Sequence, residues 1–145
     1  MVLLPIKEQL EENKAFLENP LCQESLYASI DFYKKVGFQP PWICYYVQRE
    51  DVLVGSAAFK GPPKAGVLEI AYGTFEPFRQ QGVGAQICRL LVETALRTDP
   101  MLNITARTLP EENFSTRILR RNGFQLMGLV YDLEDGDVWE WLYQK

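Results

Sequence analysis

The chain has 145 residues, with 15 Lys and Arg against 19 Asp and Glu and no histidine, giving a net charge of −4. Residues 1–145 are one domain's length, enough to bury a core without metals or disulfide staples, and the acidity leaves no basic footprint for a nucleic-acid partner. The lack of histidine excludes Ser-His-Asp hydrolases, Cys-His proteases and His-ligated metal centres in one step.

The opening "MVLLPI" is too short, and lacks the basic flank, for a signal peptide or a membrane span, so no membrane partner is expected. As a first strand "VLLPI" is a poor match to the pattern of strands. Residues 6–18 place Ile6, Leu10 and Leu17 on one helical face and stop before Pro20. Residues 23–36 repeat that period with Leu26, Ile30 and Tyr33, and Gly37 offers a C-terminal stop. "WICYYVQRE" (42–50) and "VLVGSAAFK" (52–60) read as strands joined by a tight turn at Glu50-Asp51. The cluster "GPPKAG" (61–66) turns the chain into a strand from Val67 to Phe75.

From Gly82 to about Arg97, Ile87, Leu90, Leu91 and Ala95 fall at helical spacing. "MLNITARTL" (101–109) alternates Leu102, Ile104 and Ala106 against polar partners, which predicts a strand reached by a right-handed parallel crossover. Residues 111–122 read as a helix that opens on two glutamates and closes at Gly123. Strands at about 124–133 and 137–143 are joined by the hairpin signal "EDGD". The predicted order is α-α-β-β-β-α-β-α-β-β, a mixed α/β sheet flanked by helices, with a short or missing first strand. Cys22, Cys44 and Cys88 lack metal-like spacing and read as reduced, buried thiols of a cytoplasmic protein, so no metal is expected.

The stretch that carries chemistry is "EIAYGTFEPFRQQGVGAQICRLLVETAL", Glu69 to Leu96. A strand runs through Arg79-Gln80-Gln81-Gly82-Val83-Gly84 into a helix. Such a helix end presents unpaired N–H groups and a partial positive charge, and glycines let a phosphate approach the backbone. The amides from Gln81 through Ala85 are the candidate donors, with Arg79 adding charge. Two glycines at such a turn are also common simply as turn chemistry. The stretch is not a P-loop, because the Lys-Ser/Thr pair is missing, and it lacks the dinucleotide G-x-G-x-x-G spacing.

The pattern that remains, R-x-x-G-x-G, resembles the acetyl-CoA pyrophosphate loop of the GCN5-related N-acetyltransferase (GNAT) superfamily. "EIAYGTFEPFRQQGVG" is similar to its ribosomal-protein N-acetyltransferase-like branch. "TLPEENFSTRILRRNGF" (108–124) resembles that branch's second motif, and "YDLEDGDVWEWLY" its closing hairpin. The resemblance spans roughly residues 40–145 and implies the GNAT fold with acetyl-CoA as cosubstrate. Arg79, Gln80, Gln81, Gly82, Val83, Gly84 and Ala85 would then hold the pyrophosphate, with Asn113 on the second motif. Backbone of Gly73, Thr74 and Phe75 would pair with the pantetheine arm and offer an N–H to a developing oxyanion. The chain departs from its relatives at Phe114, where many have a small residue.

The implied reaction moves an acetyl group to a primary amine: a protein N-terminus, a peptide or a small amine. Such amines are mostly protonated at neutral pH, with pKa values of about 8 and 10.4, so a carboxylate must take a proton. Glu69 is the candidate. It shares a strand face with the small residues Ala71 and Gly73, and stands ten residues before Arg79, a position similar to that of the general base in histone-type members. A rim carboxylate paired with a nearby Lys or Arg is its other reading. The tyrosine that protonates the leaving thiolate in many GNATs is replaced by Leu119, which leaves Ser115 and Tyr131 as candidate acids. Ser115 reads equally as a cap of the 111–122 helix. Trp42, Trp139 and Trp141 read as pocket lining or as core, and the last two share a face that a homodimer could cover. Two alternatives stay open: a non-catalytic acyl-CoA-binding or sensing module, and a structural or interaction domain.

Overall fold

The computed structural model describes residues 1–145. Seven strands form one sheet in the order β1-β2-β3-β4-β5-β7-β6. They are β1 (Val2–Pro5), β2 (Cys44–Arg49), β3 (Val52–Phe59), β4 (Val67–Thr74), β5 (Asn103–Thr108), β6 (Phe124–Asp132) and β7 (Gly136–Tyr143). Only β4 and β5 run parallel, as the predicted crossover requires; all other neighbours are antiparallel. The helices are α1 (Lys14–Leu17), α2 (Gln23–Val36), α3 (Val83–Thr98) and α4 (Phe114–Arg121). This is the mixed α/β architecture predicted, with a short first strand present and two helices that differ from their expected bounds.

The first strand exists. Val2–Pro5 pairs antiparallel with Tyr45–Gln48 at the edge of the sheet, so its conformation is imposed by β2 and not by its own period. The predicted helix over 6–18 is broken. Leu10–Asn13 is a 3-10 turn, and only the four residues of α1 follow as α-helix. Asn13, 2% exposed, explains the break: its amide donates to the carbonyls of Lys7 and Gln9 and its oxygen accepts from the Lys7 N–H. Those bonds compete with the helical ladder.

The last helix also starts later than predicted. Asn113 is extended and caps α4, taking the Thr116 N–H at 3.0 Å while the Thr116 hydroxyl takes the Asn113 N–H at 2.9 Å. At Glu50-Asp51 both residues have positive φ, 49° and 67°, as a two-residue hairpin demands.

Helix α2 lies on one face of the sheet. The Tyr33 hydroxyl donates to the Ile6 and Cys44 carbonyls and accepts the Cys44 N–H, and the Ser25 and Tyr46 hydroxyls meet at 2.7 Å. Helices α3 and α4 cover the other face. In α3 the buried row is Val83, Gly84, Ile87, Cys88, Leu91, Val92 and Ala95. That is one stripe of a 3.6-residue period, and each large aliphatic in it contributes about 1.5–3 kcal/mol by burial. Trp141 is fully buried under α4, where the Arg120 guanidinium sits 5.0 Å from its ring. Trp139 packs on Trp141, and Trp42 on Phe59, edge to face. The tryptophans are core, not lining for an acceptor. No helix is long and apolar enough to cross a membrane.

Candidate active site

After β4, the chain makes a 3-10 turn over Glu76–Phe78 and then passes through Arg79, Gln80, Gln81 and Gly82 into α3. Gln80 and Gly82 both take left-handed backbone, φ 64° and 77°, which folds the loop around the helix end. Helix α3 has no side-chain cap at Gly82. The first amides of a 16-residue helix therefore face outward unpaired, at the positive end of its dipole.

The two glycines serve different ends. A Cβ on Gly82 would stand in open space, so its left-handed φ is what calls for glycine, and the loop stays open to a ligand there. A Cβ on Gly84 would lie 2.7 Å from Ile118 Cδ1 and 3.2 Å from Thr74 Oγ1. Gly84 is small to seat α3 against α4 and β4, rather than to admit a phosphate.

This loop opens on a cavity of about 740 Å³ whose lining includes Arg79, Arg117 and Arg121 and no carboxylate. In a chain of net charge −4, that is a local anion site of the size a nucleotide-bearing cofactor needs. Of the predicted cofactor residues, Gly73, Thr74, Arg79 and Gln80 line it, as do Gly82, Val83, Gly84 and Ala85. Phe75, Gln81 and Asn113 do not. The Phe75 ring packs on Tyr46, the Gln81 side chain accepts from Arg49 and donates to the Pro77 carbonyl, and Asn113 is spent on the helix cap. Sequence reading missed Arg117, Ile118 and Arg121, and treated Phe114 only as a departure. With Phe114 these form a stripe at spacings of three and four on α4, the signal that was available. The Arg117 guanidinium lies 4.6 Å from the Phe114 ring centre, and Phe114 is 63% exposed.

Strand β4 parts from β5 halfway along. Val67 to Ile70 pair with Asn103 to Ala106, while residues 71–74 pair only with β3. The Glu69 carbonyl accepts from Lys60 and the Phe75 N–H donates to Val54 O, both on the β3 side. Strand alternation then turns the peptide groups of Tyr72 and Thr74 toward the gap. The free edge is therefore at Tyr72 and Thr74, not at Gly73 and Phe75. The Thr74 carbonyl is already held by Arg79 Nε at 3.4 Å.

Ser115 lines the same cavity and does not cap α4, which Asn113 does. Leu119, in the place of the usual tyrosine, is fully buried. Tyr131 is 69% exposed on β6 opposite Asp137 and lies outside the cavity. The Cys88 thiol is fully buried, and desolvation pushes it up to about 12. No group of three or more acidic or cysteine side chains is arranged to hold a metal ion.

On the α2 face a second cavity of about 160 Å³ is walled by Ser25, Ser29, Ser56, Ala58 and Ala71. Tyr72 belongs to the walls of both cavities and lies two residues past Ile70, the last β4 partner of β5.

Glu69 stands two residues back on the same strand face as Ala71, with its side chain 27% exposed. It is one of three carboxylates around Arg107. Asp132 accepts from Arg107 Nη1 at 2.8 Å, and Glu140 accepts from Nη2 at 3.1 Å and from Nε at 3.2 Å. Glu69 lies 4.0 Å from Nε and accepts no hydrogen bond. Burial raises its pKa above the ordinary carboxylate value, with Lys60 and Arg107 opposing and the two acids reinforcing.

A family model described as Acetyltransferase (GNAT) domain matches residues 7–125. No curated protein matches the sequence. Among solved structures, a ribosomal-protein α-N-acetyltransferase, RimL, in its apo form is 18% identical with TM-score 0.70, covering 97% of this chain and 90% of that one. Aminoglycoside acetyltransferase AAC(6')-Ib in complex with coenzyme A is 18% identical with TM-score 0.69, covering 99% and 93%. Its complex with ribostamycin and coenzyme A aligns over 71% of this chain and 64% of that one, with TM-score 0.62 and 21% identity. A ribosomal-protein-alanine N-acetyltransferase from Brucella melitensis is 18% identical with TM-score 0.66, covering all of both chains. At these identities the neighbours show the fold; the family model, which spans most of the chain, shows the family. This chain belongs to the acetyltransferase (GNAT) domain family.

Proposed function

We propose that the chain transfers the acetyl group of acetyl-CoA directly to a primary amine, with Glu69 taking the ammonium proton. One observation carries this reading: of the three carboxylates around Arg107, Glu69 alone accepts no hydrogen bond; it lines neither cavity itself but stands two residues before Ala71, which walls the smaller one. A partly buried carboxylate that makes no hydrogen bond, with Arg107 only at ion-pair distance, is suited to deprotonating an amine.

The thioester would lie in the larger cavity and the amine in the smaller, meeting at Tyr72. Loop amides at Val83 to Ala85, with Arg79, Arg117 and Arg121, would hold the phosphates. The Tyr72 amide, on the free edge of β4, would supply the oxyanion donor. Glu69 passes the ammonium proton to solvent, and the free amine adds to the thioester carbon to form the C–N bond and an oxyanion. The C–S bond breaks as that oxyanion collapses, the second nitrogen proton goes to Glu69, and the thiolate takes a proton from water or from Ser115, which water reprotonates. Ser115 supports that role by lining the cavity with its hydroxyl free of the helix cap.

An α-amino group or a small amine suits a cavity of about 160 Å³ walled by serines and alanines. RimL acts on a ribosomal protein and the aminoglycoside enzyme binds ribostamycin, which makes peptide N-termini and polyamines the first acceptors to try. The test is thiol release from acetyl-CoA across a panel of peptides and amines. Turnover with an amine, lost in Glu69→Gln, supports the reading; equal rates in both proteins sink it. Binding of CoA without turnover on any amine would instead favour an acyl-CoA sensor.

A further inference from the structure

Arg107 stands just past the fork in the sheet. It is one residue beyond Ala106, the last β5 partner of β4, and on the face that carries Glu69, because Glu69 pairs with Thr105. Its side chain is 31% exposed. The guanidinium fork is fully directed: Nη1 goes to Asp132 on β6, while Nε and Nη2 converge on one oxygen of Glu140 on β7. Asp132 is engaged at both oxygens, since its other oxygen takes the amides of Glu134 and Asp135 at 2.8 and 3.1 Å. Glu69 is the third acid within reach and receives charge from Arg107 without a hydrogen bond.

From this geometry we infer that Arg107 is a positioning residue: it ties up Asp132 and one oxygen of Glu140 and so leaves Glu69 as the one carboxylate of the three with no hydrogen bond to give up to an incoming ammonium group. The inference rests on the reading of Glu69 as the base. The charged groups facing Glu69 are Lys60 at the end of β3, Arg107 on β5, Asp132 on β6 and Glu140 on β7. Three carboxylates therefore stand against two cations, and removal of Arg107 leaves three against one. Two things follow. Glu69 loses its nearest opposing charge and binds its proton more tightly. Glu140, freed of its partner, competes for the amine. Arg107 touches no reacting atom in this scheme; it acts through the acids.

The test is a carboxyl 13C NMR titration of the free protein, with the Glu69 signal assigned by its loss in Glu69→Gln. Arg107→Gln should raise the Glu69 midpoint by about one pH unit or more, the lower end of what an adjacent opposite charge supplies. Arg107→Lys, which keeps the charge but not the fork, should raise it less. Arg107→Gln with Glu140→Gln restores the charge balance and should return the midpoint toward that of the parent; if Arg107→Gln folds poorly, Arg107→Lys serves in its place, an unmoved midpoint there counting equally against the role. CoA affinity by calorimetry should be unchanged throughout. An unmoved midpoint in folded Arg107→Gln overturns the positioning role. Thiol release at the parent rate in Glu69→Gln, on the same peptide and polyamine panel, overturns the base reading and the proposal with it.

Discussion

Gly84 and Ile118 fit so closely that a single added methyl group would stand 2.7 Å from Ile118 Cδ1. That contact seats the loop against α4, so Gly84→Ala must displace the Ile118 side chain and crowd Thr74 Oγ1 at 3.2 Å. The cost expected is about 1–3 kcal/mol, as for overpacking elsewhere. Because Arg117 and Arg121 ride on α4, CoA should also bind more weakly. Gly82→Ala meets no atom and costs only its left-handed φ, about 1–2 kcal/mol. Urea melts with calorimetry of CoA separate the two, since the larger affinity loss should follow Gly84→Ala.

Arg117 and Arg121 are the cations of the cavity that the loop motif does not contain. Replacing either by alanine should remove a charge-assisted contact worth about 1.5–3 kcal/mol, roughly tenfold or more in CoA affinity. Charge is the agent, so the deficit should shrink as salt screens it. Calorimetry at low and high ionic strength reads both effects, and an equal loss at the two salts would argue for lost packing instead.

Glu69 carries a linked pair of expectations. As a general base its replacement by Gln should cost about 10²–10⁴ in rate. Its folded pKa is raised by burial, so between its unfolded and folded values the native state holds more protons than the unfolded one. Stability contributed at Glu69 thus falls as pH rises through that window, and its charged form burdens the fold at neutral pH. Glu69→Gln should therefore melt at or above the parent temperature at neutral pH while losing activity. A lower melting temperature there would contradict the burial argument.

Cys88 should be chemically silent. Its thiol is fully buried and pushed up to about 12, so almost none is thiolate at neutral pH. Native protein incubated with acetyl-CoA should show no acetyl adduct on the chain by mass spectrometry, and Cys88→Ala should retain turnover. An adduct lost in that variant would point to a two-step route through the thiol.

Legibility in the sequence followed the range of the forces. The helix α3, the β4–β5 crossover and the closing hairpin were readable because their periods and turn residues are local. So was the turn from β4 through Arg79 to Ala85 into α3, whose residues are consecutive. Strand β1 was not, since four residues ending in Pro5 become a strand only by pairing with β2, some forty positions away. Asn13 read as one more polar residue on a helix, yet buried it ends that helix through three backbone bonds. Arg107 was invisible for the same reason as β1. Alternation placed it as a solvent-facing strand residue, whereas its partners Asp132 and Glu140 lie 25 and 33 positions on.

The parting of β4 from β5 leaves Tyr72 with peptide groups that no strand of this chain completes. An extended ligand lying in that gap would donate and accept where a neighbouring strand otherwise would, and would join the two halves of the sheet through itself. Occupancy and rigidity are then one variable. The halves are joined by Val67 to Ile70 alone when the gap is empty and through the ligand as well when it is filled, so the Tyr72 amide should exchange with solvent slowly when CoA is bound and quickly when it has left.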